Sequence, residues 1–208
     1  YQIFLQLKEF ICLKKNKDIL FATSNKGKIK EFKKIFKDYN LFSLSDFQID
    51  DAIEDGNSFF ENALIKAKHG AACSNKYTIA DDSGLVIPEL NYEPGIYSAR
   101  YAGDAASDLD NRNKVIKKIE SISKQSLDAY YVCVLVGLRA DDDPMPIISE
   151  GKIHGRVSIN SIGDGGFGYD KIFYPRGFDL SMAQIDSETK NRISHRAIAS
   201  KNFLSQFK

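Results

Sequence analysis

The chain has 208 residues, with 29 Lys+Arg against 28 Asp+Glu and a hydrophobic fraction of 43%. That length suits one large domain, or one domain with two lobes, and buries enough core to need no disulfide staples. A net charge of +1 excludes the one-sign field that non-specific binding to nucleic acid or an anionic membrane needs, although not a small charged pocket.

Cys12, Cys73 and Cys133 lie far apart and form no C-x-x-C pair, which fits reduced thiols in an intracellular protein. No apolar run approaches the roughly 20 residues needed to span a bilayer. Lys8 and Glu9 interrupt the apolar start and no small-residue cleavage site follows, so a signal peptide is not expected. Residues 1–17 read as an extension without assigned function, and 18–208 as a single domain.

In chain order, Asp18–Ala22 is short and apolar, as a buried strand is, and 23–28 is the turn after it. Helical periodicity then places Ile29, Phe32, Ile35 and Phe36 on one face. Ser58 and Glu61 form a capping box that opens a helix with Ala63, Leu64, Ala67 and Ala71 inward. Tyr77–Ala80 is strand-like and runs into the polar turn Asp81–Gly84, after which 85–87 resumes. A helix is expected from Ser107 to about Glu120, through Leu109, Val115, Ile116 and Ile119. Tyr130–Leu138, rich in aromatic and β-branched residues, is a strand. It pairs with 146–157 in a hairpin whose tip, Asp141–Asp143, faces water. A glycine-rich stretch over 163–168, a short strand at 172–174 and a helix through about 191–207 complete the chain. Early alternation of strands and helices followed by a long hairpin predicts an α/β fold with a mixed sheet.

Four segments carry chemistry. Thr23, Ser24, Asn25, Lys26, Gly27 and Lys28 lie between a strand and a helix, where backbone N–H groups and lysines form a phosphate cradle. It is not a Walker A loop, and taken alone a turn with two solvated lysines is the plainer account. Asp81 and Asp82, followed by Ser83, are two adjacent carboxylates leaving a sheet. These are costly unless solvated, bonded or bound to a cation, and alternation sends them to opposite faces. Mg²⁺ takes one or two carboxylates plus phosphates and water; a capped Asx-type turn explains the run equally. Glycines flanking Phe167 and Tyr169, with Gly168 and Asp170 in the same run, let a flat ring approach the backbone and stack, or simply form a turn. In the last segment, Lys190 to Arg196, a helix over 191–207 puts His195 about 200° from Ile193, away from the apolar stripe. Arg196 beside it offers a planar fork for carbonyl or phosphate oxygens. Glu61 is explained by capping, and Glu54, taken alone, is a solvated acid.

These segments occur together and in order: FATSNKGKIKEF, SFFENALIKAKHGA, IADDSGLVI, EPGIYSARYAG, GFGYDKIF and KNRISHR. In this the chain resembles the inosine triphosphate pyrophosphatase family over residues 18 to about 200. The resemblance implies a two-lobed α/β fold on a long mixed sheet with a nucleotide cleft between lobes. It implies hydrolysis of ITP, dITP and XTP to the monophosphate and pyrophosphate in a cytoplasmic homodimer, with a nucleotide as partner and neither nucleic acid nor membrane. Carried over by position, Thr23 to Lys28 grip the triphosphate, Asp82 is general base and Mg²⁺ ligand, and Glu54 is a second metal ligand. Ser83 contacts substrate, Phe167, Gly168, Tyr169 and Asp170 hold the nucleoside, and Lys190, His195 and Arg196 complete the base and phosphate contacts. Lys66 is a further phosphate contact. Departures from the family pattern include Lys171 in place of Pro and the altered loop Leu90–Gly95. A pyrophosphatase of modified pyrimidine triphosphates and a catalytically silent nucleotide-binding protein are the alternatives.

Overall fold

The computed structural model describes residues 18–207; the proposed extension over 1–17 lies outside them. Six strands form one mixed sheet in the order β2-β1-β3-β4-β5-β6. β1 (Asp18–Phe21) lies parallel to both β2 (Asn40–Ser43) and β3 (Tyr77–Val86). β4 (Ser126–Leu138), β5 (Ile147–Ser158) and β6 (Phe173–Pro175) continue antiparallel. This is the mixed α/β sheet expected from the sequence.

Five helices cover the sheet: α1 (Lys26–Ile35), α2 (Phe59–Ser74), α3 (Asp108–Ser121), α4 (Ser187–Ile193) and α5 (His195–Gln206). Ala63, Ala67 and Ala71 of α2 pack on Leu20, Ala80, Val132, Val134 and Val136 on one face. On the other face, Phe32 of α1 and Ala199 and Phe203 of α5 pack on Ile19, Phe21, Ile79, Cys133 and Leu135. A third cluster fills the far end of the long strands, where Val115 and Ile119 of α3 meet Leu85, Leu127, Tyr131, Val157 and Phe173. Alternation along each strand divides these residues between the two faces. Burying them supplies most of the stabilisation, at about 1.5–3 kcal/mol for each large apolar side chain.

Several local expectations are corrected. Asp81–Gly84 is no turn: β3 runs unbroken through it, with Asp81 opposite Leu135 and Asp82 opposite Val134. Nine-residue antiparallel pairing of Thr78–Val86 with β4 overrides the poor strand propensity of Asp, Ser and Gly. The helix expected over 191–207 is two helices. Ser194, extended at φ −66 and ψ 154, ends α4, and its hydroxyl accepts the Ala197 N–H to cap α5. Leu109 faces solvent, because the capping box of Ser107 and Asp110 sets the start of α3 and its rotation. Ser58 accepts the Glu61 N–H as expected, but the Glu61 carboxylate takes the Asn57 N–H. At the hairpin tip Asp143 turns inward, its side chain 2% exposed. Hydrogen bonds from Arg139 hold its carboxyl well below the usual carboxylate range. Cys73 and Cys133 are free thiols.

α5 packs directly against β5 at Gly151, where a methyl group would collide with the His195 carbonyl and the Ala199 amide nitrogen. Gly151→Ala is therefore expected to destabilise the protein by about 1–3 kcal/mol through overpacking. The readout is a lower urea midpoint at unchanged m-value; an unmoved midpoint would show that α5 is free to shift away.

Candidate active site

The site begins with the alternation of β3. Asp81 and Asp82 point to opposite faces, and each meets its own lysine. Asp81 is fully buried, with the Lys28 ammonium at 2.9 Å. Burial pushes its pKa up, but the charges of Lys28, Arg196 and Lys66 outweigh this and hold it below the ordinary carboxylate value. On the α2 face, the Asp82 Oδ1 receives Lys66 Nζ at 3.1 Å and Oδ2 receives Asn62 Nδ2 at 3.4 Å. Burial dominates here and leaves the Asp82 pKa raised, even against Lys66 and Lys28. Lys66 also contacts Glu54 Oε1 at 2.9 Å, so one ammonium stands between two carboxylates. Burial alone would lower its pKa; Asp82, Asp81 and Glu54 raise it instead.

The turn after β1 delivers the N-terminus of α1. Asn25 is the N-cap, its Oδ1 accepting the Lys28 N–H at 3.1 Å, and Thr23 Oγ1 accepts the Asn25 N–H. First-turn amides of a helix carry partial positive charge and suit an anion.

A second cation group surrounds Phe167. Lys190 bridges Glu31 at 2.9 Å and Asp170 at 2.7 Å. Arg196 donates to Glu31 Oε2 and to Ser83 Oγ, both at 3.0 Å. Both cations lie over the Phe167 ring, 5.2 and 5.0 Å from its centroid. His195 stacks on Tyr131, with ring centroids 4.7 Å apart and planes 6° from parallel. Burial, followed by the charges of Arg196 and Lys190, pushes the His195 pKa well below its ordinary value, so the ring is neutral. Neither ring nitrogen has a hydrogen-bond partner, nor does Arg196 Nε. Unpaired buried polar atoms are rare in native proteins, and these belong to two residues that line the cleft.

The cleft holds ≈ 590 Å³. It brings together Thr23, Ser24, Asn25, Lys28, Glu54, Lys66, Asp82, Ser83, Phe167, Gly168, Tyr169, Asp170, His195 and Arg196 from the sequence expectations. Lys26, Gly27 and Lys190 stand outside its walls. Lys26 is exposed, Gly27 offers a bare Cα to the Phe167 ring, and Lys190 is bound behind it. His195 is buried and not on a surface face, because the break at Ser194 voids the single-helix projection. Tyr169 is buried too, its hydroxyl donating to the Ser98 carbonyl. Sequence reasoning missed the wall residues Asp51, Ser98, Arg100, Asp108 and Tyr131. It also missed Glu31, which joins Lys190 to Arg196. Arg100 stood within EPGIYSARYAG and Glu31 three positions after Lys28, but only the fold reveals their partners.

Fold and cleft together define an α/β protein built to receive a small polyanion beside a flat aromatic surface. More particularly, the Ham1 family model matches residues 19–206, and the chain belongs to that family. A dITP/XTP pyrophosphatase of Legionella pneumophila (strain Paris) is 46% identical over 183 residues, covering 88% of this chain and 94% of its own. One of Acinetobacter baylyi is 42% identical over 191 residues, covering 89% and 91%. Among solved structures, a HAM1 protein from Coxiella burnetii superposes with a TM-score of 0.83 at 36% identity, covering 91% of this chain and 96% of that one. The Staphylococcus aureus Ham1 protein gives 0.78 at 41%, covering 92% and 100%.

The neutral His195 has a consequence for stability. Below about pH 6.5 the unfolded chain takes up a proton that the folded ring refuses, so stability falls with pH by up to about 1.4 kcal/mol per unit. Urea unfolding at about pH 7 and 5.5 should show a loss about 1 kcal/mol larger for wild type than for His195→Gln. Equal losses would mean that the ring protonates freely in the fold.

Proposed function

We propose that the protein hydrolyses aberrant purine nucleoside triphosphates, ITP, dITP and XTP, to the monophosphate and pyrophosphate. One observation carries this: a buried carboxylate of raised pKa, Asp82, shares a cleft with phosphate-type cations and with a neutral, unpaired His195 stacked on Tyr131. The pyrophosphatase names of the relatives agree with it.

In the reaction, water attacks the α-phosphorus and pyrophosphate departs, so catalysis is mainly positioning and electrostatic stabilisation. Lys28 and the first-turn amides of α1 hold phosphate oxygens, and Lys66 neutralises charge on the same side. Asp82 takes the proton of the attacking water.

The donor set fits Mg²⁺. Asp82 and Glu54 are hard oxygen donors that converge on one cationic centre, the Lys66 ammonium. No cluster of three His, Cys, Asp or Glu exists among the described residues, which suits an ion that prefers one or two carboxylates plus phosphate and water. Asp82 and Glu54 would hold it, and when bound it neutralises the polyphosphate and acidifies water.

Base choice rests on His195 and Arg196. A 6-oxo purine presents an acceptor to their free N–H donors, whereas adenine presents an amino group and leaves a donor unpaired. That mismatch costs about 1–3 kcal/mol. The working form is taken to be a cytoplasmic homodimer whose partner is the nucleotide alone; no helix of the described residues is long and apolar enough to cross a membrane.

Mg²⁺-dependent release of pyrophosphate, measured over ITP, dITP, XTP, ATP, dUTP and dTTP, should favour the first three. Preference for the pyrimidine substrates, or no turnover at all, would overturn the assignment. Asp82→Asn should lower kcat by at least about a hundredfold with the circular dichroism spectrum unchanged. Near wild-type turnover would remove Asp82 from the chemistry. His195→Ala should lower the ITP-to-ATP ratio of kcat/KM by about tenfold; an unchanged ratio would place base reading elsewhere.

A further inference from the structure

The backbone of Gly168 is gripped on both sides by one helix. Its N–H donates to Asp108 Oδ2 at 2.7 Å, and its carbonyl accepts from Arg112 Nη1 at 2.7 Å. Asp108 and Arg112 are four residues apart, hence neighbours on one face of α3. α3 is itself fixed by Val115 and Ile119 in the far-end core. Gly168 sits at φ +58, the left-handed region in which a side chain is disfavoured. The preceding N–H, of Phe167, is held by Asp170 Oδ2 at 2.9 Å. From these fixed peptides the Phe167 ring reaches across to Gly27, Lys190 and Arg196 on the opposite side.

We propose that Asp108 and Arg112 are positioning residues for nucleotide binding: their two-point clamp on the Gly168 backbone sets the Phe167 ring, and through it the surface against which the nucleobase docks. This rests on the function proposed above. Neither residue is placed in the catalytic step. Arg112 is buried and has a second nitrogen, Nε, without a partner, so its guanidinium is committed to the loop by the Gly168 carbonyl. Such charge-assisted bonds are the strong ones, and a loop held through both peptide groups of one residue keeps its aromatic neighbour in place before ligand arrives.

Asp108 gives the clean test. It is exposed, and α3 keeps its start without it through the Ser107–Asp110 capping box. With wild type, Asp108→Ala and Asp108→Asn, the measurements are kcat and KM for ITP, plus inhibition by inorganic pyrophosphate, which lacks a base. Asp108→Ala should raise KM by about tenfold with kcat nearly unchanged and pyrophosphate inhibition unmoved. Asp108→Asn keeps a carbonyl acceptor for the Gly168 N–H and should restore most of the loss. An unchanged KM in Asp108→Ala, equal impairment of the two variants, or a matching loss of pyrophosphate affinity would each overturn the clamp. A wild-type protein that releases no pyrophosphate from ITP or XTP would overturn the proposed function instead.

Discussion

Two adjacent carboxylates in the middle strand of a buried sheet impose the condition on which the remainder of the site depends. An isolated buried charge is expensive, and removing one partner from a buried pair is more damaging than the pair is stabilising. Because β3 alternates, Asp81 and Asp82 cannot share one cation. Each face must bring its own, and each does: Lys28 from α1 on one side, Lys66 from α2 on the other. The helices that complete the two cores therefore also carry the phosphate-type cations, and folding places both with the same contacts.

The same economy recurs at the other end of the cleft. Glu31 lies one turn along α1 from Lys28 and accepts from both Lys190 and Arg196, which belong to α4 and α5. Ser194 ends one of those helices and begins the next, so Lys190, His195 and Arg196 are held on either side of a single capped residue. Ser98 ties the opposite wall: its hydroxyl accepts the Leu85 N–H of β3, and its carbonyl receives the Tyr169 hydroxyl from the glycine-rich segment. Strand β3, the short helical segment Gly95–Arg100 and the glycine-rich loop thus meet at one residue, beside Gly84 and Leu85.

Much of this was legible in the sequence where the signal is local. Strand alternation put Asp81 and Asp82 on opposite faces, capping residues marked the starts of α2 and α3, and the six motifs named most of the residues that gather in the cleft. What escaped was non-local. The run Asp81–Gly84 reads as a turn because its composition disfavours a strand, while the pairing that makes it one comes from residues more than forty positions away in β4. The break at Ser194 was hidden because serine fits a helical pattern as well as a cap, and it moved His195 from a supposed outer face into the interior. Glu31, Arg100 and Asp108 carry ordinary surface-type charges whose importance lies entirely in distant partners.

The internal pairing of charges at the cleft has a further meaning. Lys28, Lys66, Lys190 and Arg196 each already touch Asp81, Asp82, Glu54, Glu31 or Asp170. These pairings make the site in effect an internal salt. A guest enters by exchanging partners and not by falling into an unopposed field. An anion that claims Lys66 strands two acids, and a cation that claims those acids strands the lysine. The arrangement favours a visitor that brings both signs at once.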